Sequence, residues 1–206
     1  MNIITISREF GSGGRELGKR LADHLGYDYY DSEIISAVAN ASGMDEKYVE
    51  KALENHGWRN YNVTYRSTIG SSAYQQSARV SLLLEQKHVI EQIALLGKNC
   101  VIVGRNADVI LSQYQPLNLF VCAETEAKIK RCMERQAEGG QLSERELLRK
   151  MKQIDKQRAQ TRAVLSGSEW GSRDAYHLTV NTTDWDLKDL TLAAAAFAEH
   201  YFGRKS

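Results

Sequence analysis

The sequence predicts an α/β fold built on a five-stranded parallel sheet covered by helices. Three observations carry the prediction. Five short β-rich runs, at residues 2–7, 27–30, 100–103, 117–122 and 177–180, are separated for the most part by helical patterns. Several of these runs are almost continuously apolar, as strands buried on both faces require. The first run passes into the glycine-rich loop Gly11-Ser12-Gly13-Gly14, which opens onto a segment with Leu17, Leu21 and Leu25 at helical spacing.

The remaining elements follow in order. The second run ends at Asp31-Ser32, ahead of a helix over 33–39. Residues 55–76, including His56-Gly57-Trp58-Arg59 and Tyr65-Arg66-Ser67-Thr68, have weak periodicity and many aromatic and polar side chains. A substrate-covering insert is the preferred expectation there, against a dimer contact or an unstructured loop. A long helix is predicted over 78–96, with Val80, Leu83, Leu84, Ile90 and Ile93 on its apolar face and Gly97 as its stop. The third run leads into Gly104-Arg105-Asn106-Ala107-Asp108. After the fourth, a helix beginning near Glu124 is broken by Gly139-Gly140. Ser143 with Glu146 forms a capping-box pattern that opens the next helix, predicted to reach about Thr161. A last helix follows Asp184 or Asp186, with Leu187, Leu190, Ala194 and Phe197 on its core side. The whole, 1–206, reads as a single domain with an insert at about 40–77 and a lid at about 150–173.

Bulk properties narrow the function classes. A 206-residue chain with 42% apolar and 26% charged residues has the composition of a soluble globular protein. A net charge of +1 argues against a general nucleic-acid binder. No apolar run approaches the roughly 18 residues of a membrane span, and no secretory signal is visible, so a cytoplasmic protein is expected. Cys100, Cys122 and Cys132 are scattered and form no C-x-x-C pair, which favours neither zinc nor a disulfide framework; no metal site is expected in the protein itself.

The chemistry begins with the loop. Glycines permit left-handed backbone and close approach of amides to an anion, and the following helix aims its positive end at the same point. Against the usual G-x-x-x-x-G-K-[ST], Glu9 stands for the first glycine, Arg15 for the lysine and Glu16 for the serine or threonine. Arg15 can fork onto β- and γ-phosphate oxygens. Glu16 suits the first turn of a helix electrostatically, with Mg²⁺ coordination as the other use. Asp31 and Ser32 lie at the carboxyl end of a strand, where ligands bind, although either also suits a helix cap. Arg105 stands at the end of another strand, to meet an anion or to form a surface ion pair. Lys150, Lys152, Lys156, Arg158, Arg162 and Arg173 make a basic cluster, and Arg158 and Arg162, four apart, repel unless an anion lies between them.

Taken together, these motifs resemble the cytidylate kinases. The chain shares the strand–loop–helix start, Tyr30-Asp31-Ser32, Val103-Gly104-Arg105, an arginine-bearing lid and a terminal Leu178-Thr179-Val180-Asn181-Thr182-Thr183. It more closely resembles the cytidylate-kinase-like bacterial proteins in Ser-Arg-Glu-Phe-Gly-Ser-Gly-Gly-Arg at 7–15, Asp155-Lys156-Gln157-Arg158 and Trp170-Gly171 with Tyr176 to Thr182. The resemblance spans nearly the full length. It implies a P-loop three-layer sandwich with a helical lid and an acceptor-binding insert. It implies ATP, with Mg²⁺ carried on the nucleotide. The loop Gly11, Ser12, Gly13, Gly14, Arg15 and Glu16 would take the ATP phosphates, and Asp31, Ser32 and Arg105 the acceptor. Arg15 with the lid arginines Arg158 and Arg162 would act on the transferring group.

The departures fall mainly on the acceptor side. Ala37 stands where true cytidylate kinases have an arginine, Asn106 follows Gly104-Arg105 in place of aspartate, and Asn181 replaces another aspartate. After the Asp155–Arg158 motif, Thr161-Arg162 is nearer the true kinases than the tyrosine-rich stretch of the closer group. The expected activity is an ATP-dependent phosphotransfer to a nucleoside monophosphate, CMP-like, or a similar small acceptor. The alternative is a nucleotide-binding regulatory module without turnover. Partners are expected to be small nucleotides, not nucleic acid or membrane, with a homo-oligomer possible through residues 55–76.

Overall fold

A computed structural model describes residues 1–54, 69–136 and 142–204. Most of the insert at 55–76 and the Gly139-Gly140 break lie outside the described residues. The five strands are β1 (Ile3–Arg8), β2 (Asp28–Tyr30), β3 (Cys100–Val103), β4 (Leu117–Cys122) and β5 (Leu178–Asn181). They form one sheet in the order β2-β3-β1-β4-β5, and every pairing is parallel. The first strand therefore lies at the centre, with Ile4 opposite Val101 on one side and Leu117 on the other.

The apolar runs behave as strands covered on both faces. Ile4, Ile6, Val101 and Val103 point into a core shared with α1 (Gly14–Leu25) and α8 (Leu187–Gly203). Ile3, Cys100 and Ile102 point to the other face, toward α2 (Glu33–Ser42), α3 (Glu46–Glu54), α4 (Ile69–Leu95) and the short α5 (Ala107–Ile110). Alternation with apolar residues on both sides is what makes each strand read as continuous. The result is the expected three-layer sandwich. Burial pushes the Cys100 thiol up to about 11, in keeping with a packing role.

Helix α4 starts earlier than its apolar pattern suggests. Residues 69–77 carry mainly small and polar side chains, which hide a helical period without breaking it. Its buried row is Leu82, Gln86, Ile90 and Ala94, one residue per turn, so Val80 and Leu84 are exposed rather than on the core face. The same correction applies to Phe197 of α8. That helix packs through Ala194, Ala195, Ala198 and Phe202, the three alanines letting it approach α1 closely, and leaves Phe197 outside.

Two helices finish the molecule: α6 (Thr125–Gln136) and α7 (Glu144–Ser166). The capping box of α7 is formed in both directions, with Glu146 N donating to Ser143 Oγ and Ser143 N donating to Glu146 Oε2. The helix runs to Gly167, beyond Thr161. Asp186 is the residue that caps α8, accepting from Lys188 N at 2.7 Å. Among the described residues, no helix is long and apolar enough to cross a membrane.

Candidate active site

The loop between β1 and α1 forms an open cradle of amides. Gly13, the residue before the helix, has φ +82°, a left-handed angle that favours glycine. Among the described residues, the amides of Gly13, Gly14, Arg15 and Glu16 donate to no backbone carbonyl. The first turn of a helix always leaves such donors, and here they converge at the carboxyl end of the central strand.

The cradle is braced from several elements. Glu9, in the place of the usual first glycine, accepts from Lys128 Nζ at 2.8 Å and from Ala123 N at 3.3 Å. Ser12 Oγ donates to the Glu9 carbonyl at 2.9 Å. Phe10 N donates to Asp155 Oδ1 at 2.8 Å, and Arg158 Nη1 donates to the same oxygen at 3.1 Å and to the Arg8 carbonyl at 2.9 Å. Burial pushes the Asp155 carboxyl above its ordinary range, against the pull of Arg158 and the Phe10 amide. Glu16 is engaged by Arg20 and Arg135, each at 2.9 Å. Each of its oxygens thus has a guanidinium partner, Arg20 on Oε1 and Arg135 on Oε2. Among the described residues, no group of three or more His, Cys, Asp or Glu is placed to hold a metal ion.

Beside the cradle lies a cluster of arginines. Arg8, the last residue of β1, keeps only 11% of its side chain exposed, and its guanidinium lies against Gly104. A Cβ on Gly104 would fall 1.6 Å from Arg8 Nη1, and Gly104 also has φ +77°, so both space and backbone angle require glycine there. Burial first, then the neighbouring Arg158 charge, pulls Arg8 down to about 9; Arg105 and Arg15 act in the same direction and Asp31 opposes them. Asp31 is buried, pairs through Oδ2 with Arg15, and lies 3.7 Å from Arg8. Arg15, Arg105 and Arg158 thus all act on Arg8, with Asp31 and Asp155 as paired carboxylates of the group, a concentration of positive charge that suits an anion. A cleft of about 70 Å³ opens here, with Arg8, Gln86, Arg105, Gln157, Arg158 and Trp170 among its walls.

The residues singled out from the sequence divide into three groups. Gly11 to Glu16 form the cradle, and Asp31, Arg105 and Arg158 reach the arginine cluster. Arg105 (φ +57°) and Asn106 (φ +53°) both adopt left-handed backbone, and the Arg105 carbonyl accepts from buried Gln86 at 3.2 Å. Ser32 is exposed at the start of α2 and its side chain makes no capping bond. Arg162 stands apart from both groups. It is buried, its guanidinium pairs with Asp108, its Nε donates to Ser168 Oγ at 3.0 Å, and it lies over the Tyr176 ring at 5.1 Å. Asp108 supplies a counter-charge for Arg162, and the pair anchors α7 in this structure.

Several site residues escaped sequence reasoning. Arg8 falls just after the first apolar run in the sequence and is singled out only by its surroundings in the structure. Lys128, Arg131 and Arg135 recur at intervals of three and four, which puts them on one face of α6, and that spacing was the available signal.

A family model described as the cytidylate kinase-like family matches residues 3–184. An uncharacterized protein from Eubacterium ventriosum ATCC 27560 is 25% identical, with a TM-score of 0.71 over 97% of this chain and 99% of that one. Shikimate kinase from Bacteroides thetaiotaomicron is 13% identical, with a TM-score of 0.57 over 96% and 98%. Shikimate kinase from Acinetobacter baumannii, solved with shikimate, is 13% identical, with a TM-score of 0.53 over 100% and 95%. The likeness to the shikimate kinases is one of fold, the P-loop kinase fold. No curated protein matches the chain.

Proposed function

The chain belongs to the cytidylate kinase-like family, and on that premise we propose that it is an ATP-dependent phosphotransferase acting on a nucleoside monophosphate of the CMP type. The observation that carries the reading is that the open amides at the start of α1 follow directly on a strand whose last residue, Arg8, lines a cleft with Arg105 and Arg158, while Arg15 of the loop joins the same group through Asp31. An amide cradle holds the phosphates of a donor nucleotide, and a second cationic group beside it accommodates an anionic acceptor.

In this reading the amides of Gly13, Gly14, Arg15 and Glu16 hold the β- and γ-phosphates, and Arg15 leaves Asp31 to fork onto them. Mg²⁺ arrives with the nucleotide and adds charge neutralisation. Arg8 and Arg105 hold the acceptor phosphate in the cleft, with Asp31 beside Arg8 steadying its guanidinium. Arg158, already tethered to Asp155 and the Arg8 carbonyl, is positioned to stabilise the equatorial oxygens during in-line transfer. Helix α7 walls the cleft through Ile154, Gln157, Arg158 and Thr161 and limits access of water. No enzyme nucleophile is required.

One observation favours a second reading, a nucleotide-binding regulatory module without turnover: the loop cation Arg15 is engaged by Asp31 rather than free for phosphate. A coupled ADP-release assay with Mg·ATP across the nucleoside monophosphates separates the two. Acceptor-dependent release, strongest with CMP, supports the kinase. ATP binding without release for any acceptor supports the module.

A further inference from the structure

The Ser12–Gly13 peptide is held from outside the loop. Thr182, just past β5, donates from Oγ1 to the Ser12 carbonyl at 2.7 Å, and both residues are wholly buried. The same hydroxyl accepts from Arg131 Nη1 at 2.9 Å. Arg131 Nη1 also approaches the Ser12 carbonyl at 3.4 Å, and Nη2 donates to the Thr182 carbonyl. Thr182 N donates to the Cys122 carbonyl at 3.0 Å, which fixes the threonine on the end of the sheet.

A hydroxyl that accepts from a guanidinium must turn its own hydrogen elsewhere. The acceptors in reach are the Ser12 carbonyl at 2.7 Å and the Cys122 carbonyl at 3.3 Å, so the nearer Ser12 oxygen takes it. In a trans peptide the carbonyl and the following N–H point in opposite directions. Drawing the Ser12 carbonyl toward Thr182 and Arg131 therefore turns the Gly13 N–H away from them. Gly13 is the residue where this control matters most, because glycine tolerates the flipped peptide almost equally well. A flip would replace an N–H with a carbonyl oxygen, which repels phosphate.

We propose that Thr182 and Arg131 are positioning residues for nucleotide binding: together they lock the Ser12–Gly13 peptide so that the Gly13 amide faces the phosphates. The proposal rests on the reading of the loop as a nucleotide site. Neither side chain contacts the nucleotide; both act through the Ser12 carbonyl. The pairing also explains why a threonine follows β5 at a buried position with no room for solvent.

The test uses the full chain and Mg·ADP as the probe, with affinity from calorimetry and the Gly13 amide followed by ¹⁵N NMR. Thr182→Val keeps the shape and loses the hydroxyl; it is expected to weaken ADP about tenfold and to shift the Gly13 resonance in the unliganded protein. Thr182→Ser is expected to restore affinity to within about twofold. In turnover, the KM for ATP rises in Thr182→Val while the KM for the acceptor stays constant, a split that a general loss of stability would not give. Should Thr182→Val melt below the assay temperature, Arg131→Gln on half-buried α6 carries the same test, with a loss of about three- to tenfold expected. Unchanged ADP affinity in a folded Thr182→Val or Arg131→Gln, while the wild type binds, overturns this inference alone. Failure of the wild type to bind ADP overturns the nucleotide-site reading and the inference with it.

Discussion

The guanidinium of Arg15 is paired with the buried carboxylate of Asp31, which also lies 3.7 Å from Arg8, so one carboxylate links the cation of the loop to a wall of the cleft. The Arg15 side chain is 66% exposed and that of Asp31 only 4%, which makes Arg15 the partner free to move. Arg15→Ala removes a charge-assisted ligand to phosphate and is expected to weaken Mg·ATP by about ten- to a hundredfold in calorimetry. Unchanged affinity contradicts the role of Arg15 in the loop.

Arg158 is held in place before any substrate arrives, by the Arg8 carbonyl at 2.9 Å and Asp155 at 3.1 Å. A prepositioned cation acts on charge that develops during transfer more than on bound substrates. Arg158→Ala should therefore lower kcat by about a hundredfold or more with smaller changes in either KM. Steady-state kinetics decides the matter; an unaltered kcat removes Arg158 from the chemistry.

Arg162 and Asp108 form a buried pair, with both side chains almost inaccessible. Removing one partner leaves the other charge buried without compensation, at a cost of about 3–5 kcal/mol. Arg162→Met and Asp108→Leu should each lower the urea midpoint strongly. The double variant should lose less than the sum of the two, because neither charge is then stranded. Additive losses would show that the two side chains act independently.

Asp155 gives a pH dependence whose sign is fixed. Its carboxyl pKa is raised by burial, so the folded state favours the protonated form. The stability contributed by protonation is fully present below the ordinary carboxylate pKa and is lost as pH rises through the raised folded value. Asp155→Asn stays neutral throughout and can still accept from Phe10 N. The melting temperature of the variant minus that of the wild type should therefore become more positive as pH rises above about 4, the ordinary carboxylate value. A difference that falls with pH would mean that the ionised carboxylate stabilises the fold.

Much of the architecture was legible because strands buried on both faces leave a plain trace, as 100–103 and 117–122 do. The capping box of Ser143 and Glu146 was equally local and equally visible. Helix α4 was harder, because its start lacks an apolar period and its buried row includes Gln86. The cradle could be read from the glycines of the loop, but what braces it could not. Lys128, Asp155 and Thr182 lie 119, 145 and 170 residues from their loop partners. Contacts of that range depend on the completed sheet. The same limit hid the surroundings of Arg162, whose partner Asp108 is 54 residues away, in the first turn of the short α5.

The central claim is that the cradle and the arginine cluster serve one transfer from ATP to a nucleoside monophosphate. The most direct measurement is ³¹P NMR of the wild-type protein with ATP, CMP and Mg²⁺. The prediction is loss of the ATP γ-phosphate signal with matched growth of ADP and of a new diphosphate on the acceptor. Signals of ATP and CMP that stay unchanged, or γ-phosphate appearing only as inorganic phosphate, would contradict it.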